Sequence, residues 1–143
     1  MKYKIEIKPE QTEDVVVTVR QSSAVLTRIE NILKESTDVL FGYTEQGIVR
    51  LVPEEVYCFF TEGHRVYAAG AQEKYQLKER LYTLEEMFPV DFVKINQSCL
   101  INVTQIQKFE VSIGGSLFVI LKNGFRDYIS RRQVKIVKER LGL

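Results

Sequence analysis

What this 143-residue chain lacks excludes more than what it holds. It has one histidine, His64, and two cysteines far apart, Cys58 and Cys99, so no set of ligands at zinc spacing exists. There is no nucleophile elbow, no Gly-rich phosphate loop opening a helix and no cluster of carboxylates, which leaves catalysis and metal chemistry with little support. A Cys58–His64 pairing across a hairpin stays open on sequence distance, but no third group stands out to orient it. No apolar run approaches the roughly 18 residues that span a bilayer, and Met1–Lys8 alternates charge with hydrophobicity where a signal peptide would be continuously apolar. The expectation is a cytoplasmic protein with no membrane insertion and no cofactor. Low-complexity tracts, linkers and internal repeats are also missing.

The residues present are those of a folded domain: 45% hydrophobic and 27% charged, enough apolar surface for a core. Net charge is only +1, but it is unevenly spread. Residues 1–70 carry 8 Lys+Arg against 11 Asp+Glu, whereas residues 92–143 carry 9 against 3. A basic C-terminal third inside a nearly neutral chain suits a face that meets phosphate, although a solvated charged face would look the same.

Periodicity predicts mainly short strands. Lys2–Ile7 and Val15–Val19 read as strands, followed by a helix that Ser22 or Ser23 can cap, with Val25, Ile29, Ile32 and Leu33 on one face, ending near Ser36. From Val39 the pattern is β: Val39–Thr44 and Ile48–Val52 around Glu45-Gln46-Gly47, then Val56–Thr61 and Arg65–Ala69 around Glu62-Gly63-His64. Tyr75–Leu77 is another strand. A helix with Leu77, Leu81, Leu84, Met87 and Phe88 at helical spacing follows and stops at Pro89. Phe92–Ile95, Lys108–Ile113, Leu117–Leu121 and Phe125–Ile129 complete the strands. Gly114-Gly115 and Asn123-Gly124 are hairpin signals in which both central residues are expected at positive φ. Ser130 can cap a last helix that turns Val134, Val137 and Leu141 inward.

Two polar clusters stand out on this framework. Arg131, Arg132, Lys135 and Lys138 are placed toward the start of the last helix, where cations oppose the macrodipole and so are not there for helix stability. An anion docked at that end would meet free backbone N–H groups and guanidinium forks, with an ordinary solvated helix face as the alternative. Asn96-Gln97-Ser98 follows a strand, and its amides suit base edges, adenine in particular, though a plain turn accepts the same residues. Two such clusters on one β scaffold, with the charge skew, favour DNA.

In order along the chain, Phe92-Val93-Lys94-Ile95, Asn96-Gln97-Ser98, Leu100-Ile101-Asn102, Leu121-Lys122-Asn123-Gly124 and Ser130-Arg131-Arg132 resemble the LytTR family of bacterial DNA-binding domains, over roughly Leu40–Leu143. The resemblance implies a mainly β (α+β) fold, elongated and antiparallel, whose loops enter successive major grooves. It implies base contacts by His64, Gln97 and Arg132, with Asn96, Ser98, Arg131, Lys135 and Lys138 as phosphate or supporting contacts and Asn102 structural. Where the family triplet often has His followed by Lys or Arg, this chain has Asn96 and Gln97. That departure implies weaker nonspecific attraction and a shift of base preference from guanine toward adenine. The expected division is a DNA-binding unit at 39–143 and a strand-strand-helix extension at 1–38. The extension is too short for a receiver domain and resembles that of stand-alone regulators. The expected partners are double-stranded DNA with repeated half-sites, a second copy as a homodimer at least on DNA, and a regulatory partner protein. The rival reading is a protein-interaction module with no nucleic-acid role, whose binding would barely change with salt.

Overall fold

The protein is described here by a computed structural model that covers residues 21, 23–35 and 39–143. The strands expected at Lys2–Ile7 and Val15–Val19, together with Ser22 and Ser36, lie outside those residues. Along the described chain run α1 (Ala24–Glu35), β1 (Leu40–Thr44), β2 (Gly47–Leu51), β3 (Cys58–Glu62), β4 (Arg65–Ala69), β5 (Lys74–Leu77), α2 (Leu81–Met87), β6 (Phe92–Asn96), β7 (Cys99–Asn102), β8 (Ile106–Val111), β9 (Leu117–Leu121), β10 (Arg126–Ile129) and α3 (Arg131–Leu141). Seven strands form one antiparallel sheet in the order β2-β1-β5-β4-β3-β7-β6, and β10-β9-β8 form a second. The mostly antiparallel β architecture read from the periodicity is present.

Alternation along the central strands feeds two cores. On β3 and β7, Phe59 and Leu100 face one way and pack with Leu40, Leu77, Leu84, Phe88 and Phe92 under α2. Cys58, Cys99 and Ile101 face the other way, against Val119, Leu121 and Ile129 of the second sheet and Val137 of α3. Because β7 is buried on both faces at all four positions, it reads in sequence as a short apolar run with no alternation, and it is the strand that periodicity alone does not assign. Asn102 ends it as a structural residue: its amide donates to the Val56 carbonyl (2.9 Å) and accepts from the Thr104 N–H (3.0 Å), which satisfies a polar group buried in the core.

Local chemistry shifts some boundaries. Leu77 belongs to β5, opposite Val66, and is buried there; α2 begins only after Arg80, whose extended backbone (φ −81°, ψ 157°) separates strand from helix. Ser23 is the residue that caps α1, accepting from the Leu26 N–H at 3.3 Å. The hairpin turns also differ from expectation. At Asn123-Gly124 only Gly124 has positive φ; Asn123 instead accepts from the Phe125 N–H and donates to the Gly70 carbonyl, tying the second sheet to the first. At Gly114-Gly115 only Gly115 is left-handed, within a wider tip closed by the Ser112 N–H on the Ser116 carbonyl. The tight turn with both central residues left-handed is Gly63-His64 (φ 56° and 67°), whose twist matches the strands it joins.

Candidate functional site

Strand register gathers the predicted side chains at one end of the larger sheet. β3 and β7 are antiparallel with Phe60 opposite Cys99, and the Thr61 N–H donates to the Ser98 carbonyl (2.9 Å). The Gly63-His64 turn and the Gln97-Ser98 turn between β6 and β7 therefore leave the sheet at the same end. The Ser130 N–H donates to the Ile95 carbonyl (2.8 Å), which sets the start of α3 beside the same end of β6.

Gln97, Ser98, Arg131, Arg132 and Lys135 are all exposed there. A cleft of about 460 Å³ runs between the two elements, lined by Gln97 and Ser98 on one side, Ser130, Arg131, Arg132 and Gln133 on the other, with Lys94 and Tyr128 completing it. His64 does not line the cleft; it stands exposed on the neighbouring turn. Lys94, Tyr128 and Gln133 are the residues that sequence reasoning missed. Lys94 and Tyr128 look like ordinary outward positions of strands, and only the packing of β10 beside β6 brings them to the cleft.

Two residues sit differently from their sequence placement. Lys138 falls in the last turn of α3, where a cation favours the helix dipole, and lines a separate cleft with Arg131 and the β8–β9 tip. Asn96, expected as a phosphate or supporting contact, is 2% exposed. Its Nδ2 donates to Asp127 Oδ2 (3.1 Å) and to the Tyr128 carbonyl (2.9 Å), and its Oδ1 accepts from the Ser98 N–H (2.8 Å), so the amide is committed internally.

The electrostatics favour an anion. Among the described residues no carboxylate pairs with Arg131, Arg132, Lys135 or Lys138. Ser130 occupies the N-cap position of α3 but its hydroxyl closes no cap hydrogen bond; the Gln133 N–H donates to the Ser130 carbonyl (2.9 Å), while the Arg131 and Arg132 N–H groups have no side-chain acceptor among the described residues. The carboxylate near this end, Asp127, is held by Asn96 and by the Tyr128 N–H (2.8 Å).

Thiol chemistry is not supported by this geometry. Cys58 is buried opposite Ala69 at one end of the β3–β4 ladder, and His64 lies in the turn at the other end. The hydrogen bond with Cys58, then burial, holds the Cys99 thiol well above the usual range, which keeps it protonated and unreactive.

Comparison with known proteins places this geometry in context. The sequence model of the LytTr DNA-binding domain matches residues 46–142. A protein named as an uncharacterized HTH-type transcriptional regulator in Staphylococcus aureus strain NCTC 8325 is 31% identical over 120 residues, covering 84% of this chain and 80% of its own length. Its counterpart in strain MRSA252 matches to the same extent. Among solved structures, the LytTr DNA-binding domain of a methyl-accepting/DNA response regulator from Bacillus cereus superposes with a TM-score of 0.69, covering 75% of this chain and 99% of that one at 19% identity. Among the described residues every helix is separated from the next by strands, so the helix-turn-helix of the relatives' name has no counterpart in that part of the fold.

Proposed function

This chain belongs to the LytTR family of DNA-binding transcription regulators, and from that premise we propose that it reads duplex DNA through His64, Gln97 and Arg132, presented from two turns and the start of α3 at one end of the sheet. The observation that carries the reading is the cleft in which Gln97 and Arg132 converge, with cations around them that no carboxylate among the described residues pairs. Arg131, Lys135 and Lys138, with Lys94 added from the geometry, hold phosphate and set the register, while the three reading residues meet base edges in the major groove. Ser98 and Asn96 support the turn that carries Gln97.

The regulator acts in the cytoplasm as a binder with no catalytic step, docking as two copies on repeated half-sites. Residues 39–143 are the DNA-binding unit and residues 1–38 an extension through which copies associate or a regulatory protein acts. Support for that comes from α1, where Val25 and Ile32 remain about half exposed (46% and 47%) beside the rest of the domain. No helix among the described residues is long and apolar enough to cross a membrane.

The direct test is Arg132→Ala. On a duplex selected by the wild-type protein it is expected to cost about 1–3 kcal/mol and to relax preference at one base position, because a guanidinium fork reads a base edge with two hydrogen bonds. Unchanged affinity and selectivity in a binding titration would remove Arg132 from the reading set.

His64 gives a prediction of opposite sign on stability and function. A non-glycine residue at φ 67° is held in a conformation that disfavours a Cβ, at the turn position where glycine is preferred. His64→Gly should leave the fold as stable or raise it by up to about 1 kcal/mol, glycine's greater unfolded-state freedom offsetting part of the relief. The same variant should bind cognate DNA more weakly. Thermal unfolding alongside binding separates the two, and full affinity in the glycine variant would reduce His64 to a turn residue.

A further inference from the structure

We infer that Asn96 is a positioning residue that fixes the spatial relation between Gln97 and Arg132, and so sets base selectivity without touching DNA. The inference rests on the reading of the cleft above and adds to it the part that holds its two walls together. The walls come from the β6–β7 turn and from the β10–α3 junction, which lie far apart in the chain. The Asn96 amide bonds both. Its Oδ1 closes the turn through the Ser98 N–H, and its Nδ2 spends both protons across the gap, on Asp127 Oδ2 and on the Tyr128 carbonyl.

A second feature points the same way. Between Lys94 and Asn96 the register of β6 on β7 shifts, so that Ile95 is an extra residue on β6, and its carbonyl accepts from the Ser130 N–H at the start of α3. A bulge of this kind bends a strand end and redirects its side chains, here toward β10. Asn96 is thereby buried with its amide aimed at the junction. At 2% exposure the Asn96 side of those bonds is shielded from water, which favours a defined geometry.

The requirement is for an amide in particular. One side chain must accept from a peptide N–H and also donate to both a carboxylate and a carbonyl, which a carboxylate or hydroxyl does not do. Reading two base edges from separate elements requires both side chains to be registered to a fraction of an ångström. Loss of the link should therefore lower the specific component of binding and leave the phosphate component in place.

The experiment compares Asn96→Ala and Asn96→Asp with wild type in the full chain. Each is titrated against a duplex selected by the wild-type protein and against a scrambled duplex, over a range of salt, with the active fraction fixed by stoichiometric titration. The expected result is a fall of roughly tenfold or more in specific affinity, as expected from losing hydrogen bonds that include a charged partner. Nonspecific affinity should stay within about twofold and the salt slope should not change. Asp127→Asn in the Asn96→Asp background should recover part of the selectivity, because Asn then donates across the same gap. Should Asn96→Ala fail to fold, Asp127→Ala removes one leg of the link and is expected to lower the ratio of specific to nonspecific affinity in the same direction. An unchanged ratio with a reduced active fraction would make Asn96 merely structural and overturn the inference. A salt slope reduced by about one would make it a phosphate contact and overturn it equally. If the wild-type protein itself shows no selectivity between duplexes, the reading of the cleft fails and this inference with it.

Discussion

Replacing Phe59 by alanine is expected to remove about 3–5 kcal/mol of folding stability, the usual cost of deleting a fully buried aromatic ring together with the cavity it leaves. Phe59 has no exposed surface and sits on β3, flanked by β4 and β7 in the larger sheet. Its ring packs on Phe92 at 4.6 Å and on Phe88 at 5.9 Å between centroids, so one truncation loosens the contact between sheet and α2. A domain of this size has about 5–15 kcal/mol in all, so the variant should unfold at a much lower urea concentration. The folded fraction should still discriminate between duplexes, because Phe59 lies in the core under α2 whereas the residues proposed to read bases lie at the sheet end. A loss below about 1 kcal/mol would contradict the packing described for that core.

Raising monovalent salt from about 50 to 200 mM is expected to weaken DNA binding on the order of hundredfold per bound copy, if Lys94, Arg131, Lys135 and Lys138 each neutralise one phosphate. The estimate follows from counterion release: roughly four phosphate contacts give a logarithmic slope near −3.6, applied over a fourfold rise in salt. Two copies on repeated half-sites would steepen it further. Affinity that hardly moves over that range would favour contact with a protein surface over contact with phosphate. Alanine at Lys135 should reduce the slope by about one while leaving base preference alone, which distinguishes a phosphate contact from a reading residue.

Much of the fold was legible because the strands are short, alternate and are punctuated by turn residues. β9 was placed residue for residue, and the β1–β2 and β3–β4 hairpins to within about two residues, the usual uncertainty of element ends. β7 was not, since a strand buried on both faces loses the alternation by which strands are recognised. Leu77 was read both as the end of a strand and, by its spacing to Leu81, as a helix position; its backbone pairs with Val66 in the sheet, which leaves only the strand reading. Paired left-handed residues were expected at Gly114-Gly115 and Asn123-Gly124 and occur at Gly63-His64, which was read only as a hairpin; the Asn123 side chain is instead recruited to a tertiary hydrogen bond with Gly70.

The candidate site divides along the same line. Sequence by itself determined its chemistry: the cationic start of α3, the amide-bearing Gln97, the polar turn around His64 and the charge skew of the last third, since residue type and order carry these directly. Only the tertiary structure decided that these elements leave the sheet at one end, because that depends on the antiparallel register of β3 on β7 and on the bond from Ser130 to Ile95. It also separated Asn96 from Gln97, neighbours in the chain with opposite environments. Burial and hydrogen-bond partners are long-range properties: the bulge in β6 turns one amide inward to Asp127 and Tyr128, while the turn leaves the next one facing solvent.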